Sequence, residues 1–180
     1  MQINNDDKYS LERLVKHPRS HGWSQNIDLA LLKTKENIHG LFATLPPPGF
    51  EPRGECEVCG LGTLQPKELV LPRALHCATV PVVPRDACRE ALGSYFEMQP
   101  DTLCAGGGDA DACVGDSGSA LSCEDLEGFV LTGVVSWGNG CAVKGEPGVY
   151  TDVTTHRQWI LNTIFETLEN EESNIHILGN

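Results

Sequence analysis

From residue 56 onward, short apolar runs alternate with glycine and proline turns. Ala78 to Val83, Phe129 to Ser136 and Gly148 to Val153 are of strand length, rich in β-branched residues and bounded by turn formers, which predicts antiparallel β-structure. Upstream, Leu11, Leu14 and Val15 precede the break at His17-Pro18, and Asp28 to Leu32 reads as a strand. Residues 41–55 are rich in proline and glycine (Pro46-Pro47-Pro48-Gly49, Pro52, Gly54) and read as a connection between two parts of the chain. Two segments break the β pattern. Arg85 to Leu92 predicts a short helix carrying Cys88, and Trp159, Ile160 and Ile164 recur at helical spacing. No internal repeat is found. The fold class expected is all-β with a C-terminal helix.

At 180 residues the chain is one domain at most. Its formal net charge of −12 excludes a nucleic-acid binder, which needs basic patches. Part of the acidity is local: Glu166, Glu169, Glu171 and Glu172 read as a solvated C-terminal run. Residues 1–25 hold no apolar run of signal-peptide length, and no stretch is long enough to span a membrane as a helix. Eight cysteines, however, point to an oxidising compartment. Cys56-Glu57-Val58-Cys59 has zinc-ligand spacing, but no matching Cys or His pair follows, so zinc is set aside. The conflict between cysteines and missing leader is most simply reconciled by a truncated transcript or gene model whose parent is secreted.

Asp111 to Ser119 reads Asp-Ala-Cys-Val-Gly-Asp-Ser-Gly-Ser. A serine flanked by small residues can sit on a tight turn with its hydroxyl accessible, and the N–H groups of Gly115 and Ser117 can then converge on a developing oxyanion. The segment resembles the nucleophile loop of the chymotrypsin/trypsin family of serine proteases. Other segments resemble the same family, in its order. Asn26-Ile27-Asp28-Leu29-Ala30-Leu31-Leu32 is similar to the stretch around the triad aspartate. Ser136-Trp137-Gly138 and Gly140-Cys141-Ala142 resemble the strand and turn lining the substrate cleft. Pro147-Gly148-Val149-Tyr150 resembles the strand behind the specificity pocket, and His156 to Leu168 the C-terminal helix.

The resemblance implies a chymotrypsin-like pair of six-stranded antiparallel β-barrels, of about 200 residues or more when complete, with the first barrel incomplete here. Residues 1–168 would be a partial peptidase domain: 1–45 a remnant of the first barrel, 46–55 the crossover, 56–155 the second barrel, 156–168 the helix, with 169–180 an acidic tail. A partial barrel exposes strand edges and apolar faces, so independent folding is expected to be poor. The family pattern also implies the disulfides Cys56–Cys123, Cys88–Cys104 and Cys113–Cys141. Cys59 and Cys77 are left over. Their flanking segments read as adjacent antiparallel strands, which makes a cross-strand bridge a hypothesis that a Cα–Cα separation above about 7 Å would exclude.

By the same resemblance Ser117 is the nucleophile and Asp28 the residue that orients the base. Gly115 and Ser117 form the oxyanion hole. Asp111 forms the floor of a pocket for Arg or Lys, with Ser136, Trp137, Gly138 and Gly148 lining the cleft. Asp116 pairs with an N-terminal ammonium after activation cleavage. The implied activity is endopeptidase cleavage after Arg or Lys through an acyl-enzyme on Ser117. Partners are a protein or peptide substrate and protease inhibitors; no cofactor, metal, nucleic acid or membrane is implied. Asp6 and Asp7 alone do not make a calcium site.

The departures are as informative. Ser119 stands where the family has glycine, Ala120 where proline is common, and Leu61 where tryptophan is usual. No Ala-Ala-His-Cys-like or Ile-Val-Gly-Gly-like segment precedes Asp28. Ala74-Leu75-His76-Cys77 looks like the histidine motif but follows Asp28, and the strand context places His76 away from the cleft. His17, His21, His39, His156 and His176 have no supporting context. Without a base the isolated chain is expected to be inactive. A non-catalytic binding module, or a truncated product with no role, stays open beside the protease reading.

Overall fold

In the computed structural model, the structure describes residues 9–20, 27–39, 43–65, 70–93, 98–126 and 128–172. The alternation read in the sequence becomes strands with one buried face. In β3 (Glu55–Gly60), Cys56 and Val58 point inward while Glu55 and Glu57 face solvent. With β4 (His76–Val83), β5 (Thr102–Ala105), β6 (Ala120–Asp125), β7 (Gly128–Trp137) and β8 (Gly148–Asp152), β3 closes a six-stranded antiparallel barrel in the order β3-β4-β5-β8-β7-β6. Closure removes every free edge. Val58, Val80, Leu103, Leu121, Val135 and Tyr150 fill its interior.

The upstream segment forms a two-stranded antiparallel ribbon of β1 (Leu11–Lys16) and β2 (Ala30–Thr34). The second strand begins two residues later than the pattern predicts, because Asp28 is turned toward the barrel: its carbonyl accepts a hydrogen bond from Thr151 Oγ1 at 2.8 Å. Ile27 and Leu29 pack with Val153 and Ile160 in a second apolar cluster that fastens the ribbon to the closed barrel. The other face of the ribbon is open. Leu11, Leu14 and Leu32 are exposed, and Leu31, Leu32, Ile164 and Leu168 line an apolar cleft of about 300 Å³. The described residues thus form one closed barrel, a two-stranded ribbon and a C-terminal helix.

Helix α1 (Arg85–Leu92) lies between β4 and β5 and ends at Gly93, whose φ of 67° suits glycine. Helix α2 (Val153–Glu172) corrects the expected bounds of 156–168 at both ends. Its start is fixed by Asp152, whose carboxylate accepts the Thr154 N–H at 2.8 Å as an N-cap. At the other end the helix takes in the first four residues assigned to the acidic tail; residues 173–180 lie outside the described residues. No helix among the described residues is long and apolar enough to cross a membrane.

All eight cysteines are bridged. The pairs are Cys56–Cys123, Cys88–Cys104, Cys113–Cys141 and Cys59–Cys77, the last with a Cα–Cα separation of 4.1 Å across the β3–β4 ladder.

Where the ribbon meets α2, His17 stacks edge-on against His156 and Trp159, with ring centroids 4.9 and 4.7 Å away. His156 is 6 % exposed and its Nε2 makes no hydrogen bond, lying 3.6 Å from Asp101. Burial pushes the His156 pKa below the usual value, against the pull of Asp101 and Asp152; burial and then Arg19 push His17 down as well. The folded state therefore holds both rings neutral more firmly than the unfolded chain does. Their contribution is fully present above about pH 6.5 and is lost as pH falls below it, since the unfolded state then binds more protons. The melting temperature is expected to be lower at pH 5.5 than at 7.5, and His156→Phe to narrow that difference.

Candidate active site

The loop Val114-Gly115-Asp116-Ser117-Gly118 folds as two consecutive β-turns. Asp116 N–H bonds Cys113 C=O at 3.0 Å, and Ser119 N–H bonds Asp116 C=O at 2.8 Å. The third residue of each turn is a glycine at positive φ, Gly115 at 98° and Gly118 at 85°, a conformation that excludes most other residues there. Ser117 is left exposed at the second residue of the second turn. Neither Gly115 N–H nor Ser117 N–H has a protein acceptor among the described residues.

Two anchors hold this loop. On one side Gly118 N–H bonds Val135 C=O and Val135 N–H bonds Ser119 C=O, both at 2.9 Å, docking the loop on β7. The next residue of β7, Ser136, donates its hydroxyl to Asp28 Oδ2 at 2.7 Å. Ser117 and Asp28, 89 positions apart by their numbers, are thus joined through two residues of one strand. On the other side Asp116 is buried and receives two backbone donors, Gly62 N–H at 2.7 Å and Cys113 N–H at 2.8 Å. Thr63 N–H bonds Val114 C=O at 2.9 Å. From sequence only Leu61 of the Gly60-Leu61-Gly62 segment was noted, not its glycines. The signal was there in its two glycines: a Cβ on either would collide with the Asp116 carboxylate.

Asp111 lies beneath the loop. It accepts the Ala112 N–H at 2.8 Å, and burial raises its pKa to about 6 against the pull of the Ala112 and Ala142 N–H groups. Two glycines make room for it. A Cβ on Gly106 would come within 2.8 Å of Asp111 Oδ1, and one on Gly148 within 3.0 Å. Gly148 and Gly138 are neighbours in space, a Cβ on Gly138 falling 3.7 Å from Gly148 Cα. The Tyr150 hydroxyl is buried close by without a hydrogen-bond partner in the described structure. Trp137, at the end of β7, is partly exposed.

His76 opens β4 and is exposed. It lines a cavity of about 270 Å³ with Gly60, Gly62, Cys77, Asp111 and Asp116. That places it closer to the underside of the loop than strand order suggests. Among the described residues no histidine hydrogen-bonds Ser117 or Asp28. His21 and His176 lie outside the described residues.

The Trypsin family model matches residues 1–160. The chain belongs to the trypsin family. It is 40% identical over 158 residues to "Transmembrane protease serine 9" of Rattus norvegicus, covering 83% of this chain and 15% of that protein. It is 33% identical over 158 residues to "Anionic trypsin" of Bos taurus, covering 84% of this chain and 62% of the relative. With "Transmembrane protease serine 5" of Homo sapiens the figures are 36% over 166 residues, 88% and 36%. The chain thus spans less than two thirds of the length of each of these relatives. Family membership makes sense of the open ribbon: a trypsin-family fold has two barrels, and the described residues close one.

Proposed function

We propose that this chain carries the nucleophile and aspartate part of a trypsin-like serine endopeptidase site. The observation that carries the proposal is the connected path from the Ser117 turn through Val135 and Ser136 to the Asp28 carboxylate. In the reaction Ser117 Oγ attacks the scissile carbonyl, the Gly115 and Ser117 N–H groups receive the oxyanion, and water later releases the acyl group. Asp28 orients the base and stabilises its charged form. Among the described residues no histidine hydrogen-bonds Ser117, and no histidine has the family's motif in the family's place before Asp28, so the isolated chain is expected not to turn over. That same observation supports the second reading, a binding module that keeps the pocket. The four disulfides support an oxidising, extracellular setting for the protein.

Substrate preference follows from Asp111. A half-buried carboxylate with a raised pKa favours a ligand bringing its own cation, which suits a protein or peptide chain with Arg or Lys at the cleavage site. An arylamidinium probe is expected to bind above pH 6, to weaken up to about tenfold per pH unit below it as Asp111 protonates, and to be lost in Asp111→Asn. Because the raised pKa means the charged form opposes folding above pH 6, Asp111→Asn is also expected to be slightly more stable at pH 8. Amidinium binding that ignores Asp111→Asn would overturn the pocket assignment. For catalysis the test is a serine-directed fluorophosphonate with a Ser117→Ala control. Labelling of the folded chain lost in the control would show that a base assembles within these residues, and the inactivity expectation would be wrong.

A further inference from the structure

The four disulfides are not equivalent. Cys56, Cys123, Cys88 and Cys104 are each no more than 2 % exposed, and Cys113 is joined to the buried Cys141. The Cys59–Cys77 bridge lies at the surface, Cys77 exposed and Cys59 half-buried. We propose that it is a thiol–disulfide exchange site, and that its opening releases the segment holding the nucleophile loop.

Three features support this. An attacking thiolate needs access to a sulfur, and exposed bridges are the labile ones. Next, the bridge sits near the end of the β3–β4 ladder, with Gly60 and His76 the one pair beyond it in that ladder. At the other end of β3, the buried Cys56–Cys123 bridge holds the strand to β6, so opening Cys59–Cys77 leaves the barrel closed. Finally, the bridge closes the chain around 60–76, whose described residues Gly62, Thr63 and Leu71 approach the loop. Gly62 N–H reaches Asp116, Thr63 N–H reaches Val114, and the Leu71 side chain lies where a Cβ on Gly115 would meet it at 3.1 Å.

The co-reactant is a monothiol or a dithiol. Its thiolate attacks Cys77 Sγ, the S–S bond breaks, and the electron pair leaves on Cys59 Sγ, which takes up a proton. A second thiolate attacks the mixed disulfide and releases Cys77 as a thiolate that also protonates. Two external thiols are oxidised to one disulfide, and one protein disulfide is reduced to two thiols.

The test is differential alkylation of the folded, oxidised chain after limited exposure to reduced glutathione, with a Cys-x-x-Cys dithiol protein as a separate arm. Peptide mapping is expected to find Cys59 and Cys77 labelled at least about tenfold sooner than any other pair, in one or both arms. Hydrogen exchange is then expected to rise in peptides covering 61–65 and 113–118 and to stay unchanged in β5 and β8. Cys59→Ser/Cys77→Ser should show the raised exchange without thiol and no response to it. If that variant does not fold, the selectively reduced and alkylated chain gives the same readout. Opening of another bridge first, or exchange at 113–118 that ignores the reduction, would overturn the proposal. Neither readout depends on Ser117 turning over, so the outcome is separate from that of the endopeptidase reading.

Discussion

Asp116→Ala is expected to destabilise the chain by about 3 kcal/mol and to melt the Ser117 turn locally. The carboxylate is buried and accepts two backbone N–H groups, from Gly62 and Cys113. Hydrogen bonds to a charged acceptor contribute about 1.5–3 kcal/mol each, and the stranded N–H groups must then be solvated inside the fold, while relief of the buried charge offsets part of that loss. One donor opens the loop's own first turn and the other belongs to the Gly60–Thr63 segment, so the effect should be visible beyond global stability. Urea unfolding should show a lower midpoint at unchanged slope, and amides of residues 113–118 should exchange faster. Asp116→Asn, which keeps one acceptor oxygen, should lose less. An alanine variant with wild-type exchange in this segment would mean that the turn is held by the glycines and the β7 contacts alone.

The second large effect is expected from Cys56→Ala/Cys123→Ala, at about 4 kcal/mol in the chain-entropy account of cross-links. The bridge joins positions 67 residues apart, the longest separation of the four, and links directly paired residues of β3 and β6 where the barrel closes. Both cysteines belong to the apolar core, so alanine leaves space but no unpaired polar group. Domains of ordinary size have about 5–15 kcal/mol in all, and this one carries an open apolar ribbon face besides. The double variant is therefore expected to lose cooperative unfolding at 37 °C. Near-wild-type unfolding would show that strand pairing carries the closure without the cross-link.

Much of this arrangement was legible in the residues. The apolar runs marked β4, β7 and β8, and Arg85 to Leu92 was read as the helix α1. Val-Gly-Asp-Ser-Gly was read as one tight turn; it forms two, each with a glycine at positive φ in its third position. What stayed hidden depended on partners remote in sequence. The start of α2 was read three residues late because its cap, Asp152, belongs to a strand. The start of β2 was read early because Thr151 draws the Asp28 carbonyl away from the ladder. Gly60 and Gly62 drew no reading, since nothing local says that a carboxylate 54 positions beyond Gly62 needs their space.

By itself the sequence determined the family and the kind of fold: a serine loop like that of the trypsin family, strand-length apolar runs between turns, a C-terminal helix and cysteines for cross-links. These are local patterns, set by turn dihedrals, side-chain period and residue type. Only the tertiary structure decided how they combine. It joined Ser117 to Asp28 through β7, seated Asp116 on the Gly60–Thr63 segment, and brought no described histidine into hydrogen-bond contact with Ser117 or Asp28. It buried both ends of two disulfides and one end of a third, while leaving the fourth at the surface. Burial and through-space contact are properties of the packed whole, and a one-dimensional pattern carries them only where, as at a glycine, the packing has already removed the side chain.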